Sequence, residues 1–435
     1  MSDDTTPTAA PVPSVTDPMA ALATTSAAPA SRRRFLTMAG MAGAAGLLAA
    51  CGDGSTDDEG DGATEDAGAD GEDTAQAEGG TSGGLDLTGG EGPEVSWDMT
   101  TSWPAGLETL FGTEENGVGA VGFAQVVGQL SGGRFSINAV QAGELAGALE
   151  VVDVLQSGAV PAGHTASYYY LGTSPVFAFG TAVPFGLNYR QQHAWLYSYT
   201  DDSGRRGLDV LREVYREFGI INFPAGNTGT QMGGFFNVEI NSLADLQGIV
   251  MRIPGQGGEI MSRLGATTQN LPGGEIAQAL QTGAIDAAEF VGPYDDNTLG
   301  LGEAGDFYYY PGFWEPGATL DVFASLEAYD ELPESYQQIL DLAGELSHTR
   351  MMGFYDSLQP ASLEQIRADG ADVRPFPDDV LAAAKEESEA LLDELAASDE
   401  AFATVLEHWR PFRDAVTAWH STAELAFMNA AAPSS

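Results

Sequence analysis

Alternation of short apolar runs with longer amphipathic ones organises the chain from Val95 onward. "EVSWDMTTSW" reads as a first strand, and "GAVGFAQVVGQLSGG" places apolar residues at spacings of three and four, which predicts a helix. "RFSINAV" is a second strand, and "GALEVVDVLQSGAV" repeats the helix and strand theme. Further on, the amphipathic helix "RGLDVLREVYREFG" leads into the strand "IINFPA". After "VEINSLADLQGIVMRIPG" comes the helix "GEIMSRLGA", opened by a loop carrying Gly255, Gly257 and Gly258. From Pro333 the pattern is almost wholly helical, and "PDDVLAAAKEESEALLDELAASDEAFATVLEHW" is long enough to cross or extend beyond a globular lobe. Strands alternating with helices predict an α/β architecture. A folded part of this length divides naturally into two lobes, and no internal repeat relates them.

Upstream of Val95 the pattern changes character. "SRRRFLTMAGMAGAAGLLAAC" sets Arg32 and Arg33 ahead of an apolar run that stops at Cys51, which resembles a twin-arginine export signal. The run from Phe35 to Ala50 is short and rich in Gly and Ala for a membrane span, which needs about 20 apolar residues. Leu48, Ala49, Ala50 and Cys51 have the look of a lipobox, with Cys51 as the lipidated first residue of the mature chain; a plain signal peptide is the alternative. Cys51 is the only cysteine, so no disulfide can form within one chain. The segment that follows carries thirteen acids before Gly92, no base and almost no large apolar residue, the composition of a solvated tether.

Charge narrows the functional classes. The 63 Asp and Glu against 17 Lys and Arg give a formal net charge of -46, and no basic stripe exists to displace counterions from phosphates, so nucleic acid is excluded as a partner. Lys385 is the only lysine. Such a balance fits a hydrated acidic surface of the halophile type, and equally a genome rich in Ala and Gly codons. From Val95 onward no "GxSxG" elbow, "HExxH" or Walker-type loop is present, and "GQGGEI" has Ile260 where a dinucleotide loop needs its third glycine. The five histidines, His164, His193, His348, His408 and His420, lack ligand spacing. Catalysis is not indicated, and the alternatives of a secreted hydrolase or an inert surface lipoprotein have no motif behind them.

Against this acid background two strand ends stand out. "IVMRIPG" delivers Arg252 to the end of an apolar strand, and "AIDAAEF" delivers Glu289 and Phe290 to another, the position at which open α/β sheets bind ligands. Pro272 opens and Gly283 closes the helix that precedes the second of them.

Three motifs, "DLQGIVMRIPGQGGEIMSRLGA", "LPGGEIAQALQTGAIDAAEFVGPY" and "FYYYPGFWEPG", together resemble the substrate-binding proteins of TRAP (tripartite ATP-independent periplasmic) transporters. The closest resemblance is to the branch that takes α-keto acids and related 2-oxo or 2-hydroxy monocarboxylates. It implies a periplasmic-binding-protein-like α/β fold, with two α/β lobes joined by hinge strands and long C-terminal helices. The implied receptor is extracytoplasmic, closes over an organic acid and passes it to an ion-driven membrane permease; another carboxylate, such as a C4 dicarboxylate, is the alternative ligand. On the resemblance Arg252 clamps the ligand carboxylate, while Gln231 in "NTGTQMGG", Glu289 and Phe290 in "DAAEFVGP" and Glu315 in "FWEPG" surround ligand and a bound cation, sodium or calcium. Oxygen donors suit such hard ions. Phe290 stands where the branch often has Trp and contributes its backbone carbonyl. From the aromatic stretches "SYYYLG" and "FYYYPGFW" we choose Tyr170 and Trp314 as cleft wall. A small apolar pocket around few polar anchors favours short keto acids over sugars.

The expected organisation is signal 1–50, acidic linker 51–94, first lobe 95–221, second lobe 222–290, a return to the first lobe over 291–332, a helical part of the second lobe with a spanning helix over 333–398, and a C-terminal helix 399–435. That last helix carries Phe402, Leu406, Trp409 and Phe412 at spacings of three and four and reads as a homodimer arm.

Overall fold

Eleven strands and twelve of the thirteen α-helices position the site in the computed structural model, which describes residues 92–432; the last helix is Ala426–Ala431. The expected export signal with Arg32 and Arg33, the lipid site Cys51 and the acidic tether lie outside the described residues. The strands are β1 (Val95–Thr101), β2 (Phe135–Ala139), β3 (Ala162–Thr165), β4 (Ile220–Asn227), β5 (Gly234–Phe236), β6 (Val250–Arg252), β7 (Thr267–Gln269), β8 (Ala287–Ala288), β9 (Phe307–Tyr310), β10 (Thr319–Ser325) and β11 (Asp372–Pro375). They form two sheets, one in the order β2-β1-β3-β10-β4 and one in the order β11-β9-β5-β8-β6-β7. Parallel pairing of β1 with β2 and β3 gives way to antiparallel β10, and antiparallel β5 likewise interrupts the otherwise parallel second sheet.

β4 and β10 pair side by side and carry the chain between the sheets. All residues of both are buried, which explains the nearly continuous apolar run of "IINFPA", broken only by Asn222. Pro224 within β4 is compatible with a strand because β4 is an edge, and the pairing register slips beside it between Leu320 and Asp321.

The helices are α1 (Gly119–Leu130), α2 (Val151–Gln156), α3 (Ala178–Thr181), α4 (Tyr189–Tyr197), α5 (Gly207–Glu217), α6 (Gly255–Arg263), α7 (Gly273–Gln281), α8 (Pro293–Thr298), α9 (Leu326–Asp330), α10 (Glu334–Asp369), α11 (Asp378–Ser398) and α12 (Glu400–His420). The spanning helix is α10, 36 residues and roughly 54 Å at 1.5 Å per residue. It packs on α1 and β4 of the first lobe and on α8 of the second, tolerates Pro360, and ends at Gly370, whose φ of 105° only glycine adopts without strain. Crossing back, α11 packs on α6 and α12 on α4 and α5.

Three expectations change. β4 belongs to the first sheet, so that lobe extends past residue 221 to Asn227. β9 belongs to the second sheet, so the return to the first lobe falls between Tyr310 and Thr319 and not at residue 291. Aromatic runs buried on both faces carry no mark of which sheet they join. The third concerns α12: Phe402, Leu406 and Trp409 are buried within the first lobe, where Phe402 and Trp409 meet Phe179 with ring centroids 4.8 and 5.7 Å apart. Their periodicity is that of a core helix. Exposed apolar side chains occur farther along, at Trp419, Leu425 and Phe427.

Candidate functional site

Arg252 ends β6, in register with Gln269 of β7 and Ala288 of β8, so the parallel pairing sets Glu289 beside it at the strand ends. Glu289 N–H donates to Arg252 O at 3.3 Å. β5 crosses this point closely: a Cβ on Gly234 would stand 2.2 Å from Ala288 O and 2.6 Å from Glu289 Cα, and its φ of 86° also demands glycine. The loop after β9 supplies the opposite wall. Gln231 N–H donates to Glu315 O at 3.1 Å and Gly312 N–H to Gln231 O at 2.9 Å, which fixes Gln231 and Glu315 to one another.

These side chains are almost wholly inaccessible, with Arg252 at 1%, Glu289 at 0%, Glu315 at 2% and Gln231 at 3% exposure, so the lobes are closed over them. Arg252 Nη1 donates to Glu289 Oε1 at 2.5 Å and to Glu289 O at 2.7 Å, and Nε donates to Leu271 O at 3.1 Å. Those bonds leave Nη2 for another acceptor. The guanidinium also lies 5.6 Å from the centre of the Phe290 ring, a cation–π contact in a dry setting.

The electrostatics are unbalanced. Burial pushes Glu289 up to about 7 although Arg252 and Trp314 draw it down. Glu315 is raised well above the carboxylate range by burial first and by Glu289 second, with Arg252 opposing. Arg252 loses solvation, but the acids and tyrosines around it, Glu289 foremost, hold its pKa above the usual value. One guanidinium therefore faces two buried carboxyls.

Three oxygens here, Glu289 Oε2, Glu315 Oε2 and Gln231 Oε1, are buried without a hydrogen-bond partner among the described residues. Gln231 Nε2 donates to Thr228 Oγ1 at 3.0 Å, which turns its carbonyl oxygen inward. Trp314 favours the ionised form of Glu289, yet its Nε1 completes no hydrogen bond of ordinary geometry. Buried unpaired acceptors cost about 1–3 kcal/mol each. Among the described residues no group of three His, Cys, Asp or Glu side chains is arranged to hold a metal ion. The oxygens gathered here, two carboxylates and a neutral amide carbonyl, are the donor types that suit a hard ion.

Of the seven residues singled out from the sequence, Arg252, Gln231, Glu289, Phe290, Glu315 and Trp314 come together. Tyr170 does not: its ring packs on Phe177, 6.1 Å between centroids, and its hydroxyl meets Thr165 Oγ1 at 3.1 Å inside the first lobe. Tyr168 and Tyr169 take the wall instead. The Tyr168 hydroxyl favours the ionised form of Glu315, Tyr169 interacts with Arg252, and burial raises both phenols, Tyr169 to about 12. Ser167–Tyr170 is a turn of 3-10 helix, in which residues three apart share a side. Ser167, bonded to Phe177 O at 2.7 Å, therefore takes Tyr170 inward with it and leaves the two middle tyrosines to the cleft. The run "SYYYLG" held this signal, but only the turn type decides which rings face inward.

Known proteins resemble the chain over most of its folded length. Residues 113–399 match the family described as DctP, bacterial extracellular solute-binding protein, family 7. A monocarboxylate 2-oxoacid-binding periplasmic protein of Nostoc sp. is 48% identical over 342 residues, 79% of this chain and 90% of that protein. A TRAP transporter solute-binding protein from Bordetella bronchiseptica, crystallised as a dimer with calcium and picolinate, superimposes with a TM-score of 0.73 at 38% identity, covering 78% of this chain and 97% of that one. Another from Pseudoalteromonas atlantica, with bound sodium and pyruvate, gives 0.71 at 34% identity, covering 77% and 99%. In its fold, its matched residues and its near relatives, the chain belongs to the DctP family of extracellular solute-binding proteins, the receptors of TRAP transporters.

Proposed function

We propose that this receptor closes over a small 2-oxo monocarboxylate together with a hard cation, sodium or calcium, and delivers the acid to a TRAP permease in the membrane. The observation that carries the reading is the set of three buried, unpartnered oxygens on Glu289, Glu315 and Gln231 beside the guanidinium of Arg252. A relative named for 2-oxoacid binding and solved neighbours holding pyruvate with sodium or picolinate with calcium support it.

Gln231, Glu289, Glu315 and the backbone carbonyl of Phe290 would hold a hard cation, which would supply positive charge to two carboxyls that otherwise resist ionisation next to an anionic ligand. The chain's own residues do the rest. While Glu289 occupies Arg252 Nη1, the arginine can offer a ligand only Nη2, and a bidentate clamp is blocked. Glu289 turned toward a cation releases Nη1, and the planar fork becomes available to the ligand carboxylate. Cation and carboxylate binding are coupled through that single side chain. Tyr168, Tyr169, Phe290 and Trp314 close a small aromatic wall around the acid's body and exclude water.

Calorimetric titration of pyruvate, lactate, pyroglutamate and a C4 dicarboxylate, each with and without cation, tests this. The 2-oxo acid is expected to bind best and only with the ion; a dicarboxylate that outcompetes pyruvate refutes the ligand assignment.

Delivery places the receptor outside the cytoplasmic membrane. Export through the twin-arginine signal, anchoring through lipid on Cys51 and spacing by the acidic segment complete this reading. Among the described residues no helix is long and apolar enough to cross a membrane. We further propose a homodimer joined through Trp419, Leu425 and Phe427, which are 59%, 56% and 69% exposed. Serine at all three is expected to give a monomer by light scattering; an unchanged mass, whether single or double, rejects this arm.

A further inference from the structure

Outside the Arg252 cluster, a buried carboxylate joins the two lobes directly. Asp295 in α8 accepts from the Thr109 hydroxyl at 2.5 Å through Oδ1 and from the Tyr355 hydroxyl at 2.5 Å through Oδ2. Asp295, Thr109 and Tyr355 are all fully buried.

Each side of this contact is fastened to a different lobe. Thr109 lies in the segment between β1 and α1, which is fixed to the first sheet: Trp103 Nε1 donates to His164 Nδ1 at 2.7 Å, Ser102 and Thr165 hydroxyls meet at 2.6 Å, and Ser102 N–H donates to His164 O at 3.0 Å. α8 is fixed to the second sheet through the next residue, Asp296, which accepts from the Tyr308 hydroxyl of β9 at 2.6 Å and from Val291 N–H at 3.2 Å. Leu107 and Leu110 beside Thr109 share one apolar core with Ile276, Leu280 and Tyr308 of the second lobe, which keeps the contact dry. Tyr355 brings the spanning helix α10 to the same carboxylate.

We propose that Thr109, Asp295 and Tyr355 form a closure latch, a set of positioning residues that holds the lobes together and sets how long a ligand stays bound without touching it. The Thr109 to Asp295 bond joins segments carried by different lobes, and on this proposal opening the cleft breaks it. In the closed form both acceptor oxygens of Asp295 have a hydroxyl donor. A hydrogen bond made only in the closed state adds its whole contribution to the closed population and appears in the dissociation rate.

The ligand used to read the latch comes from the 2-oxo acid assignment above, so the test separates the two. In the full chain with pyruvate and calcium, followed by stopped-flow fluorescence, Thr109→Val is expected to dissociate at least about tenfold faster, as for loss of a hydrogen bond to a charged group. Its association rate and ligand-free melting point should stay near wild type, and Thr109→Ser, which keeps the hydroxyl, should return to within about twofold. Wild-type dissociation in Thr109→Val, or equal impairment in the valine and serine variants, overturns the latch. Should the valine variant not fold, Tyr355→Phe removes the other donor, and the same acceleration is required of it. If the wild type binds no acid, the ligand assignment has failed and the latch is still decided by energy transfer between dyes on the two lobes. Thr109→Val must then raise the open population above that of wild type and Thr109→Ser, and equal populations reject it.

Discussion

Arg252 commits Nε and Nη1 to protein acceptors and keeps Nη2 in hand, and this division of labour makes the residue irreplaceable. Arg252→Lys retains a positive charge but has no planar fork with which to reach Glu289, Leu271 and a ligand together. It is expected to lower pyruvate affinity by at least about tenfold, and Arg252→Ala to abolish binding by calorimetry, since removal of one partner from a buried pair costs about 3–5 kcal/mol. Glu315→Gln keeps the shape and removes a charge that burial already opposes. That variant should fold with an unchanged or higher melting point and lose the calcium-induced rise in melting temperature; a full calcium response would show that Glu315 is no ligand. Arg252 and Glu289 were legible in the sequence because a scarce arginine at the end of an apolar run is conspicuous in an acidic chain. Their bond to one another was not, because it depends on the parallel register of β6 and β8. Tyr168 and Tyr169 were invisible as individuals for the same kind of reason: three consecutive tyrosines differ only by the turn that carries them.

α12 illustrates what periodicity tells and what it omits. Asp399 caps its start by accepting from Phe402 N–H at 2.7 Å, and the apolar stripe that follows fills the first lobe. Asp399→Ala is expected to cost about 1 kcal/mol of stability, the ordinary worth of such a cap. Phe402→Ala should cost about 3–5 kcal/mol by leaving a cavity against Phe179, with no change in oligomeric state, measured by denaturant unfolding and light scattering. Dissociation of a dimer in Phe402→Ala would return that residue to an intermolecular role. The helical nature of the segment, its stripe and the division near residue 398 could all be read from the sequence. What the stripe packs against could not, since a core face and a dimer face share the same spacing. β8 shows the converse: alternation in "AIDAAEF" suggests a longer strand, but only Ala287–Ala288 form one, and the Asp286 carboxylate just before them accepts from Val250 N–H at 2.8 Å.

For the whole molecule, the α/β class followed from alternating strands and helices and two lobes from chain length, whereas the crossover points did not, because "FYYY" and "IINFPA" are buried on both faces and carry no label for a sheet. Burying so many acids has a consequence that the net charge alone does not give. Burial lifts Asp295 to about 6 and Asp296 and Asp321 to about 7 from an unfolded value near 3.8. Between those limits these three carboxyls hold more protons in the folded state than in the unfolded chain, so their contribution to stability falls as pH rises from about 4 to about 7, against the opposite contribution of His164 and His348, which burial keeps neutral. Cation-free protein should therefore be most stable on the acid side of neutrality, and a melting point that climbs steadily over that range would contradict the protonation assigned to these carboxyls. The coupling of cation and acid through Glu289 is the central claim, and one titration examines it directly: pyruvate added to chain freed of metal by chelation, then repeated with calcium restored. The account predicts no measurable heat of binding in the first and saturable binding in the second, lost again in Glu289→Gln. Equal affinity with and without the ion would contradict it.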